Sequence, residues 1–154
     1  RNSLMREPSA PQKMFVYGTL MKGFYNYEKA LVGQEVSLVP ARTRGLVWHM
    51  SNRGYPAIKA GDGWVYGELV ELKDFAAVID IMDDIEGYYG PEDPRNEYAR
   101  ILSPVENLET GDIEEAYVYH YVPDDLGTPE NPVVALAHGS WRTFMEKNNE
   151  PSNH

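Results

Sequence analysis

Asp74-Phe75-Ala76-Ala77-Val78-Ile79-Asp80-Ile81-Met82-Asp83-Asp84-Ile85-Glu86-Gly87 is the stretch on which the reading of this chain turns. Laid on a helix at about 100° per residue, Phe75, Val78, Ile79, Met82 and Ile85 fill an arc of roughly 120°, and Glu86 falls near its centre. Asp80, Asp83 and Asp84 fall outside the arc and read as the solvated charges of an amphipathic helix. Asp74 suits the N-cap and Gly87 is a natural stop. Two readings of Glu86 stand from the helix alone. In one, the carboxylate is partly desolvated, its pKa is raised, and it works as a general acid/base. In the other, the helix ends at Glu86 and the side chain fans out to water.

The segments flanking this helix are strand-prone. Met14 to Tyr17 is a short β run that stops at Gly18, and Phe24 to Leu31 suits a helical turn or two. Ser37 to Met50 and Gly63 to Leu72 alternate in a strand-like way. Asn52-Arg53-Gly54 and Gly61-Asp62-Gly63 read as turns between them. Gly87 to Asn96, with two glycines and two prolines, reads as a loop. Tyr98 to Val105 and Glu114 to Val122 read as a hairpin joined through Thr110, Gly111 and Asp112. In its second strand Ala116, Val118, His120 and Val122 share one face and Tyr117, Tyr119 and Tyr121 the other, so both faces are expected to be covered. Asp124 to Pro132 is turn-forming, and Ser140 to Lys147 closes the chain as an amphipathic helix. The class expected is α+β with a mostly antiparallel, barrel-like sheet.

The chain has 154 residues, 14 Lys plus Arg against 24 Asp plus Glu, a net charge of −10 and no cysteine. That length suits one domain. The acidic balance without a basic cluster argues against nucleic acid or an anionic membrane as partner. The missing thiols remove disulfides, thiol catalysis and thiolate metal ligands, and permit a cytoplasmic home. No apolar run approaches a membrane span. Residues 1–13 read as a flexible arm or cloning remnant, 14–147 as the domain and 148–154 as a flexible tail.

Few motifs carry chemistry. Tyr17-Gly18-Thr19-Leu20 sits where a strand ends at a glycine turn before a helix; exposed backbone N–H groups there can hold a carboxylate or a developing oxyanion, or the turn is a plain corner. No Walker lysine or Gly-x-Gly-x-x-Gly fingerprint is present. His49, His120, His138 and His154 lack a partner at metal-ligand spacing. Ser140 has no nucleophile elbow around it. Asp83, Asp84 and Glu86 point in different directions around a helix, so they do not converge on a metal or a sugar.

Tyr17-Gly18-Thr19-Leu20 after a short first strand, with Glu86-Gly87 ending a central helix, resembles the γ-glutamyl cyclotransferase-like superfamily. Tyr55-Pro56-Ala57-Ile58 before Val65-Tyr66-Gly67-Glu68-Leu69, then Tyr98 and Arg100, then Gly139-Ser140-Trp141-Arg142, follow in family-like order, and the resemblance covers Met14 to Lys147. The Tyr-Gly-Thr-Leu form followed by Met21-Lys22-Gly23 is similar to the γ-glutamylamine cyclotransferase, butirosin-pathway and plant avirulence-induced branch. The resemblance implies a small barrel of five to six strands with flanking helices. It implies a cavity where the backbone of Tyr17, Gly18, Thr19 and Leu20 holds a small-molecule γ-glutamyl substrate, with Glu86 as acid/base and no cofactor.

The implied reaction is closure of the substrate's own α-amine on its γ-carbonyl, releasing 5-oxoproline and a free amine, which needs no enzyme nucleophile. A non-catalytic module that binds γ-glutamyl or small amino-acid ligands on the same fold is the alternative. Tyr119 or Tyr121 is placed to hydrogen-bond the substrate, and period-2 strand packing accounts for them equally well. The loop Tyr88 to Asn96 is longer than a short member of the family needs, and its acids Glu92 and Asp93 are expected to repel an anionic leaving group. The acidic surface suits a cationic polyamine or aminoglycoside instead. The sequence does not specify an oligomeric state.

Overall fold

A computed structural model describes residues 13–21, 23, 24, 27, 31, 33 and 35–148. Its elements are β1 (Lys13–Val16), β2 (Glu35–Met50), β3 (Tyr55–Leu72), α1 (Phe75–Glu86), β4 (Tyr98–Asn107), β5 (Ile113–Tyr121), β6 (Val133–Ala135) and α2 (Trp141–Asn148). The sheet order is β3-β1-β5-β4-β2-β6, and β2 also pairs with β3. Five strands therefore close on themselves, and β6 adds to β2 through Trp48↔Ala135, His49↔Val134 and Met50↔Val133. Among the pairings of the named strands only β1–β5 is parallel, so the barrel is mixed and mostly antiparallel, as expected for an α+β chain of this pattern. Closure pairs the strand edges that an open sheet would expose.

The pair β2–β3 forms most of the wall, and here the structure corrects the sequence reading. Gly61-Asp62-Gly63 is not a turn: β3 runs through it from Tyr55 to Leu72. The chain reverses earlier, where Arg53 and Gly54 both donate backbone N–H groups to Met50 O at 3.1 and 2.8 Å. What the glycines mark is a register slip between Arg44 and Leu46, where a Cβ on Gly63 would lie 2.9 Å from Gly45 O. A bulge bends and twists a strand without ending it, and barrel walls need such bends. Lys13, set aside with the arm, belongs to β1 and pairs its ammonium with Glu114 on β5. Of the helical turn expected over Phe24 to Leu31, residues 25, 26 and 28–30 lie outside the described residues; Leu31 N–H donates to Tyr27 O at 2.9 Å.

Met14, Phe15 and Val16 are all buried, because β1 is covered on both faces. With Val65, Leu69, Val70, Ala116 and Val118 they form the barrel's core. On β5 Tyr119 and Tyr121 are also buried, so both faces are covered there, although Val122 just beyond is 45% exposed. The end of β1 and the end of α1 thereby meet beside β5.

Candidate active site

Helix α1 is capped at both ends by the residues its sequence suggests. Asp74 Oδ1 accepts from Ala77 N–H at 3.1 Å, and Val78, Ile79 and Met82 are buried. Gly87 takes the left-handed conformation (φ 69°, ψ 43°), which costs glycine little. Its N–H and that of Tyr88 return to Asp84 O and Asp83 O at 3.3 and 2.9 Å, the two bonds of a Schellman cap. The helix does end at Glu86. Its side chain nevertheless turns into the wall of a cavity that opens to solvent at its mouth, and is half-buried there.

That cavity, about 110 Å³, is bounded by the Tyr17 to Leu20 turn, by Phe15 and Tyr119 from the barrel, by Tyr55 and Pro56 at the start of β3, and by Ile85, Glu86, Glu97 and Tyr98. The turn is closed by Met21 N–H donating to Gly18 O at 3.0 Å, while the N–H groups of Gly18 and Leu20 donate to no acceptor among the described residues. Gly18 does not have a positive φ. Its glycine is required by close approach: a Cβ would lie 2.8 and 2.9 Å from Cγ and Cδ of Pro56.

Four tyrosines line the cavity, and every phenol proton is already committed. Tyr17 donates to Tyr119 O at 2.7 Å, Tyr98 to Pro56 O at 2.5 Å, Tyr119 to Asp83 Oδ1 at 2.6 Å and Tyr55 to Glu97 Oε2 at 2.6 Å. Burial raises all four phenols above their ordinary value, so they stay protonated. The side chains of the wall thus present acceptors, and the donors come from the backbone of the turn. Tyr121 lies elsewhere. Its hydroxyl donates to Asp125 Oδ1 at 2.9 Å and accepts from Arg53 Nη1 at 2.7 Å, outside the cavity lining.

The Glu86 carboxyl is pushed up to about 8, first by burial and then by the negative charges of Glu97 and Asp83. The last turn of α1 holds no basic residue, so nothing offsets the negative end of the helix dipole there. Asp83 is not the solvated charge its position outside the apolar arc suggests. Arg100 clamps it with two parallel bonds of 2.9 and 3.0 Å, and it accepts the Tyr119 hydroxyl besides. Asp80 and Asp84 are exposed. In the long loop Asp93 is answered by Arg95, which holds its carboxyl down to about 2. Among the described residues no three His, Cys, Asp or Glu side chains are grouped to hold a metal ion. His49 Nδ1 accepts from the Trp141 indole at 3.0 Å, a packing role.

Among the side chains lining the cavity, Tyr55, Pro56, Tyr98 and Glu97 are not assigned to the site from the sequence, and Glu97 has no place in the family-like order either. Glu97 sits at the end of an irregular loop, where no periodicity assigns a direction to a side chain. What brings it to the cavity is a backbone bond from its N–H to Gly87 O, 3.0 Å long.

A family model described as "Gamma-glutamyl cyclotransferase, AIG2-like" matches residues 14–143. The chain is 30% identical over 116 residues to the gamma-L-glutamyl-butirosin B gamma-glutamyl cyclotransferase of Niallia circulans, covering 73% of this chain and 68% of that protein. In fold it is similar to YkqA from Bacillus subtilis, with a TM-score of 0.64 at 21% identity, covering 92% of this chain and 44% of that one. It is also similar to an AIG2-like protein from Mus musculus, with a TM-score of 0.57 at 22% identity, covering 84% of this chain and 87% of the other. The chain thus spans less than half the length of YkqA. Among the described residues no helix is long and apolar enough to cross a membrane.

Proposed function

The chain belongs to the gamma-glutamyl cyclotransferase, AIG2-like family, and from that premise we propose that it converts a γ-glutamyl amine into 5-oxoproline and the free amine, with Glu86 as general base and then acid. The observation that carries this is a carboxyl in a cavity wall with no hydrogen-bond donor among the described residues, sharing that cavity with a turn where the N–H groups of Gly18 and Leu20 donate to no acceptor among the described residues. Pushed up to about 8, Glu86 is a stronger base than an ordinary carboxylate, which lowers the cost of taking a proton from the substrate's α-ammonium. An ordinary carboxylate is too weak a base for that step.

The substrate's α-ammonium faces the acceptor-lined wall and gives a proton to Glu86. The freed amine attacks the γ-carbonyl carbon, and the oxyanion develops toward the N–H groups near Gly18 and Leu20. Breaking the amide C–N bond expels the amine. The ammonium starts with three protons and the lactam nitrogen keeps one; the other two pass by way of Glu86 to the departing nitrogen. Glu86 ends as it began, and no co-reactant is consumed.

The relative's aminoglycoside substrate and this chain's acidic surface favour a cationic amine as leaving group. Incubating the protein with γ-glutamyl amines, γ-glutamyl dipeptides, glutathione and a γ-glutamylated aminoglycoside, with mass-spectrometric detection of 5-oxoproline, tests the proposal. The expected result is 5-oxoproline from at least one γ-glutamyl amine. Binding across the panel without 5-oxoproline would instead identify a non-catalytic binding module.

A further inference from the structure

Two carboxylates line this cavity, and they are held in opposite ways. Glu97 accepts from the Tyr55 hydroxyl at 2.6 Å and from Arg53 Nη1 at 3.3 Å. Arg53, on the reversal between β2 and β3, also donates to Tyr121 and reaches Asp125 Oδ2 at 3.5 Å, so its position is set from three sides. The backbone bond from Glu97 N–H to Gly87 O seats this charge beside the end of α1. Glu86 has no donor or cation of its own among the described residues. The other groups that bear on it are the protonated phenols of Tyr17, Tyr98 and Tyr119, and Asp83, whose charge Arg100 answers.

We propose that Glu97 is a positioning residue that acts through Glu86: anchored by Tyr55 and Arg53, its fixed negative charge keeps Glu86 protonated in the empty cavity, and Arg53 sets how strongly that charge is felt. The proposal rests on the cyclotransferase reading only for its purpose. Like charges sharing one cavity resist ionising together, and two carboxylates in unlike surroundings divide their roles. A substrate ammonium entering between them relieves the repulsion, and Glu86 releases its proton to solvent, so that it is a carboxylate when the ammonium's own proton has to be taken.

Carboxyl ¹³C NMR on protein carrying labelled glutamate follows Glu86 without any substrate, with Glu86→Gln identifying its signal. The apparent midpoint of the Glu86 signal is the quantity to read. Glu97→Gln should lower it by about one pH unit. Arg53→Met, which leaves both carboxylates in place, should raise it. Opposite shifts from removing an anion and a cation at one spot do not arise from general damage to the fold. An unmoved midpoint in folded Glu97→Gln protein, or a downward shift in Arg53→Met, overturns the proposal; the second variant decides alone where the first does not fold. In proteins that turn over substrate, the acid limb of kcat/KM should move with the NMR midpoint. Midpoints that shift as expected in a protein that releases no 5-oxoproline would support the coupling and overturn the function.

Discussion

Replacing Glu86 by Gln tests the site through stability as well as activity. The folded value of this carboxyl, about 8, lies above its ordinary 4.5. Between those two values the folded state keeps a proton that the unfolded chain has already released. The contribution of Glu86 to stability is therefore most favourable below about pH 4.5, declines as pH rises, and carries its whole penalty above about 8. Each pH unit in that interval corresponds to about 1.4 kcal/mol, which sets a ceiling of about 5 kcal/mol. Water reaching Glu86 through the cavity mouth screens part of this, leaving about 2–3 kcal/mol. The Gln side chain keeps the shape and has no proton to lose. Melting temperatures measured at pH 4 should nearly coincide for wild type and variant, and at pH 8.5 the variant should melt higher by about 4–12 °C. Turnover should fall by about 10² or more across the range. A Tm difference that does not change with pH, or a variant that melts lower at pH 8.5, would refute the idea that Glu86 is a desolvated, uncompensated acid.

Three further substitutions probe the supports of the site. Gly18→Val drives a side chain into Pro56, whose ring atoms lie 2.8 and 2.9 Å from the new Cβ; about 1–3 kcal/mol of stability should be lost, with turnover down by about 10²-fold as the donor turn shifts. Arg100→Lys cannot reproduce the two parallel bonds to Asp83, so Tyr119 loses its fixed partner; turnover should drop about tenfold, with a small change in Tm. Gly139→Ala places a Cβ 1.9 Å from Trp64 O at φ +79°, and chemical denaturation should show a loss of about 3 kcal/mol or more. Because Gly139 is not among the cavity-lining residues, activity per folded molecule should be unchanged; a selective loss of activity there would redraw the boundary of the site.

The α1 pattern was legible because it is local. A 3.6-residue period, an aspartate cap and a terminal glycine each act within a turn of where they stand, and all three agree with the observed helix. The β4–β5 hairpin was legible for the same reason, its alternation and turn chemistry being short-range. At Gly61 to Gly63 local chemistry misled, since a glycine that relieves crowding between paired strands has the same letter as one that reverses the chain. Tertiary structure alone decided the rest. Asp83 looked solvated on its helix until Arg100, from a strand formed later in the chain, arrived to clamp it. Glu97 had no period to aim it, and its place beside Glu86 follows from a backbone bond across an irregular loop. The sequence by itself determined which carboxyl would stand on an apolar helix face. Whether that carboxyl met water or a cavity, and which charges bore on it, depended on strands distant in sequence closing into a barrel.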